Sequence, residues 1–137
     1  MAPANTKAGH SRPTSPHLGI YRMRMNMAMS IVHRITGIAL YAGTLLLAWW
    51  LIAAAIGPGY FKFVNGLLAS LPGQIVLAGY TWALLHHMLG GLRHFVWDTG
   101  RGFNLGTVDA MSWGTLIGSL GLTVLVWALV IGRSGGL

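Results

Sequence analysis

The chain has 137 residues, of which 54% are hydrophobic and 8% charged, with a mean hydropathy of +0.61. A soluble domain carries about a quarter charged residues, so this composition fits a protein embedded in lipid. Nine Lys and Arg against two Asp and Glu give a net charge of +7. The charges stand before and between apolar runs rather than on one soluble face, which argues against a nucleic-acid binder. The absence of cysteine excludes disulfides and any iron–sulfur cluster held by the chain's own thiolates.

Residues 1–26 are polar, contain Pro3, Pro13 and Pro16, and lack the apolar centre of a secretory signal. They read as a cytoplasmic leader. Residues 27–137 read as a membrane domain with three apolar runs, about 27–56, 74–92 and 111–131. A span needs about 20 apolar residues, and lipid admits only helices or closed barrels. Strand alternation is absent, so the expected fold is an all-α integral membrane protein with three transmembrane helices. The first run exceeds the minimum, which implies tilt or a projecting end. Between the first two runs, Gly57-Pro58-Gly59 is followed by Tyr60, Phe61, Phe63, Leu67, Leu68 and Leu71. That spacing suggests a short amphipathic helix at the interface. The polar, Gly-containing stretch 93–110 suggests a surface loop. The six tryptophans read as interface belt or packing, and Met23, Met25, Met27 and Met29 as gap-filling.

Ionisable residues inside a span mark candidate sites. On the second run His87 and His94 are seven residues apart, so they share a face about 10 Å apart along the axis. Gly90 and Gly91 lie one turn from His87 and leave a slot in which a flat macrocycle could rest. Arg93 and His94 stand at the rim, where cations suit propionates. An axial nitrogen, a slot and rim cations together suit a haem. His86 points about 100° away from His87 and reads as a hydrogen-bonded packing residue. On the first run Ser30, His33, Arg34 and Gly37 form one polar face. Arg34 offers a planar fork for carboxylates, and Ser30 a hydroxyl for a carbonyl. Spacing alone leaves a second reading open, in which the histidines make only interhelical hydrogen bonds and Arg34 snorkels.

Two segments carry a family resemblance. Arg12-Pro13-Thr14-Ser15-Pro16-His17-Leu18, followed by Ser30-Ile31-Val32-His33-Arg34-Ile35-Thr36-Gly37, resembles the first signature of the cytochrome b membrane-anchor subunits of succinate dehydrogenase (complex II). His87 through Gly100 resembles the second: His, three residues, Gly, an apolar residue, Arg-His, then Trp-Asp and Gly. The likeness spans about residues 12–131; the position before the expected ligand, often tyrosine in relatives, is His86 here. The resemblance implies half of a heterodimeric bundle that holds one haem b. His87 would be one axial ligand, and a second small anchor would supply the other. It implies propionate contacts from His33, Arg34 and His94, beside the Gly90/Gly91 slot that the spacing suggests, and a ubiquinone site at Ser30 and Arg34. The implied partners are an iron–sulfur subunit, a flavoprotein subunit that oxidises succinate, and the phospholipid membrane. Rival readings are the anchor of a fumarate reductase using menaquinone, and a structural anchor without haem. A small transporter is a distant third, because no inverted repeat or broken-helix pair is visible.

Charge sets the expected topology. Lys7, Arg12, Arg22, Arg24, Arg34, Arg93 and Arg101 lie on one side, and Lys62 and Arg133 on the other. The positive-inside rule then places the N-terminus in the cytoplasm and the C-terminus in the periplasm of a bacterial inner membrane, ahead of a mitochondrial one. A topology reporter fused after Leu137 should therefore behave as external. Cytoplasmic behaviour would mean an even number of spans and would overturn the three-span reading.

Overall fold

A computed structural model describes residues 22–133; the leader's Arg12–Leu18 segment lies outside them. Four helices follow one another: α1 Met25–Ile56, α2 Pro58–Ala69, α3 Leu71–Asp98 and α4 Leu105–Arg133. α1, α3 and α4 are long and apolar enough to cross a membrane. At 32, 28 and 29 residues they run about 48, 42 and 43 Å at 1.5 Å per residue, against about 30 Å of hydrocarbon. Each therefore tilts in the apolar layer or projects beyond it. α2 is the short helix expected between the first two runs.

Helix boundaries depart from the sequence reading at the second connection. The expected surface loop 93–110 shrinks to residues 99–104, because α3 continues to Asp98 and α4 begins at Leu105. Polar residues there extend the helices past the apolar run instead of ending them. Asn104 opens α4 by accepting a hydrogen bond from the Thr107 amide on its Oδ1, at 2.9 Å, the geometry of a side-chain N-cap. The tight turn needs Gly100, whose φ of +75° suits a residue without a Cβ. At the other end Ser70 caps α3 by accepting from the Gly73 amide at 3.3 Å, and Pro72 sits in the first turn, where its missing amide costs nothing.

The order of contacts defines the packing. Gly43 meets Tyr80, Gly37 meets His87 and Gly90 meets His33, so α1 and α3 are antiparallel. His86 with Ser119 and Arg93 with Ser112 make α3 and α4 antiparallel as well. Arg24 pairs with Asp109 at 3.0 Å and ties α1 to α4 at the end where both begin. α2 is pinned to α1 by two tryptophans: Trp49 Nε1 donates to Tyr60 Oη and Trp50 Nε1 to Asn65 Oδ1, each at 2.9 Å. Most large apolar side chains on α1, α3 and α4 are exposed in the isolated chain, among them Ile38, Leu45, Leu92 and Val124. Such surface suits lipid or another helix and not water.

Glycines set the closest approaches. A Cβ on Gly73 would run into the backbone carbonyl oxygens of Leu67 and Leu68, which no side-chain rotation can relieve. Around Gly79 the space is open. Gly73→Ala should lower the melting temperature of the purified protein in detergent by several degrees, as expected for about 1–3 kcal/mol of overpacking. Gly79→Ala should leave it unchanged. Equal melting temperatures for both variants would contradict the close α2–α3 corner.

Candidate functional site

The site forms where α1 crosses α3 near the end that holds Arg24 and Asp109. The His33 and His87 rings stack with centroids 3.9 Å apart and planes within 6°. His87 Nδ1 lies 3.1 Å from the His33 backbone oxygen. A carbonyl oxygen can only accept, so Nδ1 carries the proton and donates. The lone pair of the neutral ring then resides on Nε2. Thr36, 2% exposed, donates its hydroxyl to the same carbonyl at 2.8 Å and lies 3.4 Å from His87 Nδ1. Gly37 makes the approach possible, since a Cβ there would sit 3.1 Å from His87 Cε1.

The two glycines expected to form a slot differ. The space beside Gly90 is filled by His33, whose Nδ1 is buried without a partner and would collide with a Cβ at that position. Gly91 faces open space. His94 is exposed, 5.5 Å from the His33 ring and edge-on to Trp97 at 5.1 Å. His33 thus joins His87 and His94 into one run of three rings. Ser30 and Arg34 are exposed on α1, one turn apart on the flank of His33.

His86 is set apart from this cluster. It is 1% exposed, its Nδ1 lies 3.2 Å from Ser119 Oγ, and its ring packs 5.2 Å from Trp82. The adjacent imidazoles therefore have different neighbours, α4 for His86 and α1 for His87. Arg93 departs from its expected place at the rim. It is 4% exposed, donates to Ser112 Oγ at 3.0 Å and holds its guanidinium carbon 5.0 Å over Trp97. Thr36, Ser112 and Ser119 escape sequence reading. Serine and threonine in a spanning helix commonly bond their own preceding carbonyls, and these three do so as well. The detectable signal is spacing: Ser112 and Ser119 are seven residues apart, as are His86 and Arg93.

Three apolar helices long enough to span a bilayer, with an imidazole anchored through Nδ1 at the α1–α3 crossing, define a polytopic membrane protein. Residues 9–130 match the family model of the succinate dehydrogenase/fumarate reductase transmembrane subunit, and the chain belongs to that family. It is 44% identical over 115 residues to the succinate dehydrogenase cytochrome b556 subunit of Paracoccus denitrificans, covering 84% of this chain and 88% of the relative. Identity is 38% over 118 residues to the subunit of the same name from Rickettsia felis, covering 86% and 92%. The human mitochondrial cytochrome b560 subunit is 41% identical over 106 residues, which cover 74% of this chain and 61% of that protein.

The two adjacent histidines should differ in reactivity. Diethyl pyrocarbonate acylates accessible imidazoles. In the natively solubilised protein His86 should stay unmodified by mass spectrometry until the protein is denatured. Labelling of His86 before denaturation would contradict its burial against Ser119.

Proposed function

We propose that this chain is the cytochrome b membrane anchor of a succinate dehydrogenase, holding half of a haem b site and part of a ubiquinone pocket. The observation that carries the reading is the His87 Nδ1 bond to the His33 carbonyl. A ligating histidine commonly donates its second ring nitrogen to a carbonyl or carboxylate, which fixes the tautomer and ring orientation. Stacking by His33 covers a face of the His87 ring and leaves its edge, where the Nε2 lone pair lies, available. Open space beside Gly91 suits a flat macrocycle, with Gly90 and His33 forming its wall. The residues present therefore fit a haem. Among the described residues no three His, Cys, Asp or Glu side chains converge as a metal cage. One anchored imidazole suits an iron whose other ligands arrive with a porphyrin and a second small anchor subunit.

When bound, the haem supplies a one-electron carrier at this depth. His87 Nε2 would hold its iron. His33, Arg34 and His94 would neutralise or hydrogen-bond its propionates at the cytoplasmic end. Ubiquinone is the substrate: it gains two electrons, arriving from an iron–sulfur subunit fed by the succinate-oxidising flavoprotein, and two protons. The Ser30 hydroxyl donates a hydrogen bond to one quinone oxygen. Arg34 stabilises the negative charge that builds on the ring during reduction. The protein lies in a bacterial inner membrane with its N-terminus in the cytoplasm. The family description covers fumarate reductases too; the named relatives are succinate dehydrogenases, which favours quinone reduction over the reverse reaction with menaquinone.

Spectra and two activities on the same membranes test this reading. His87→Ala should abolish the b-type reduced-minus-oxidised spectrum, and His86→Ala should retain axial ligation. Ser30→Ala should lower succinate-driven quinone reduction about tenfold, the effect of one lost hydrogen bond of about 1.4 kcal/mol. Succinate oxidation with a soluble artificial acceptor should persist. Arg34→Leu should lose more, and Arg34→Lys should recover part, because a point charge does not reproduce the planar fork. An unchanged spectrum in His87→Ala would refute the ligand assignment. Unchanged quinone reduction in both Ser30→Ala and Arg34→Leu would move the pocket elsewhere.

A further inference from the structure

α3 has to hold one rotation for the site to exist. A helix turns 100° per residue, so a shift of that size would swing His87 off α1. Lipid supplies little hydrophobic force to fix helix rotation, and interhelical polar contacts take over that task. The α3–α4 seam carries such contacts at matched intervals. His86 and Arg93 are seven residues apart on α3, Ser119 and Ser112 seven apart on α4, and they pair in antiparallel order. Both serines are fully buried, at 0% exposure.

Each rung has the same polarity. Ser119 donates its only hydroxyl proton to Leu116 O at 2.9 Å, and Ser112 donates to Val108 O at 2.8 Å. Each serine oxygen can therefore only accept from α3: from His86 Nδ1–H and from Arg93 Nη1–H. A third contact, Trp127 Nε1 to Thr81 Oγ1 at 3.3 Å, extends the seam toward the far end. Between the two serines, Gly118 lets Leu89 approach closely; a Cβ there would lie 3.3 Å from Leu89 Cδ1.

The rungs coincide with the site in sequence. In each of the pairs His86-His87 and Arg93-His94 the first residue is buried against α4, and the second belongs to the ring cluster that contains His33. We infer that His86 and Arg93, seated on Ser119 and Ser112, are positioning residues that set the rotation of α3 and so the orientation of the His87 imidazole. The inference rests on His87 being the axial ligand. Ser119→Ala leaves the buried His86 N–H unpaired and His86→Leu removes the donor; either loosens the rotation of α3 on the α4 side, so the His87 ring would change its angle while still able to bind.

The test uses the assembled complex, with succinate oxidation by a soluble acceptor as the assembly control. Redox titration of the haem and the g-values of its oxidised form by electron paramagnetic resonance are the readouts. Ser119→Ala and His86→Leu should each shift the midpoint potential and the g-values. Ser119→Thr, which keeps the hydroxyl, should restore wild-type values. The double variant should shift no further than either single one, since both break the same contact. Should Ser119→Ala fail to assemble, Ser119→Cys, with a weaker donor and acceptor of similar size, should show a smaller shift of the same sign. Wild-type potential and g-values in the rung variants, or additive shifts in the double, would overturn the positioning role. His87→Ala separates the two claims. Loss of the haem signal there with silent rung variants leaves the ligand assignment standing and removes the positioning role. A retained signal refutes the ligand assignment itself.

Discussion

The site depends on one hydrogen bond across a helix crossing, from His87 Nδ1–H to the carbonyl of His33. It does three things together. It satisfies a polar ring in a segment where water is scarce. It fixes the tautomer and leaves Nε2 with its lone pair. It also locks α3 against α1 at one height, because the acceptor is backbone and cannot swing away. Thr36 bonds the same oxygen, and Gly37 lets the ring come close. Without this bond the imidazole would be a costly polar group in an apolar layer; with it, the imidazole is satisfied and held in a defined orientation.

Two seams meet on α3, and they use different chemistry. The α1 seam is a contact of rings and glycines: His33 fills the space beside Gly90 and stacks on His87. The α4 seam is a series of hydroxyl contacts, Ser112, Ser119 and Thr81 with their partners. A helix with polar contacts on two sides has little freedom to rotate, whereas the outward faces carry exposed Ile, Leu and Val that discriminate poorly among lipid neighbours. Specific geometry is thus concentrated inside the bundle. The flank with Ser30 and Arg34 stays exposed.

Much of this was legible in the sequence. Apolar runs located the three spans, and the aromatic spacing after Gly57-Pro58-Gly59 located α2. The helical period separated His86 from His87. What escaped was the behaviour of polar residues beyond the apolar runs. Residues 93–98 and 105–110 looked like loop, yet they are helix, because backbone bonding continues past the hydrocarbon edge and Asn104 and Gly100 confine the turn. Arg93 looked like a rim cation. Its long side chain instead reaches Ser112 and Trp97, a choice that depends on the neighbouring helix and leaves no mark in local composition. Gly90 looked like part of an open slot, but a side chain from α1 fills it, and only the crossing of α1 and α3 reveals that.

The central claim is that His87 binds iron through Nε2 while Nδ1 holds the His33 carbonyl. A cryo-electron microscopy structure of the intact complex, at a resolution that orients imidazole rings, tests it most directly. The account predicts iron at His87 Nε2, the Nδ1–carbonyl contact preserved, and His86 still seated on Ser119. Iron bound by His86, or by His87 through Nδ1 with the His33 contact broken, would contradict it.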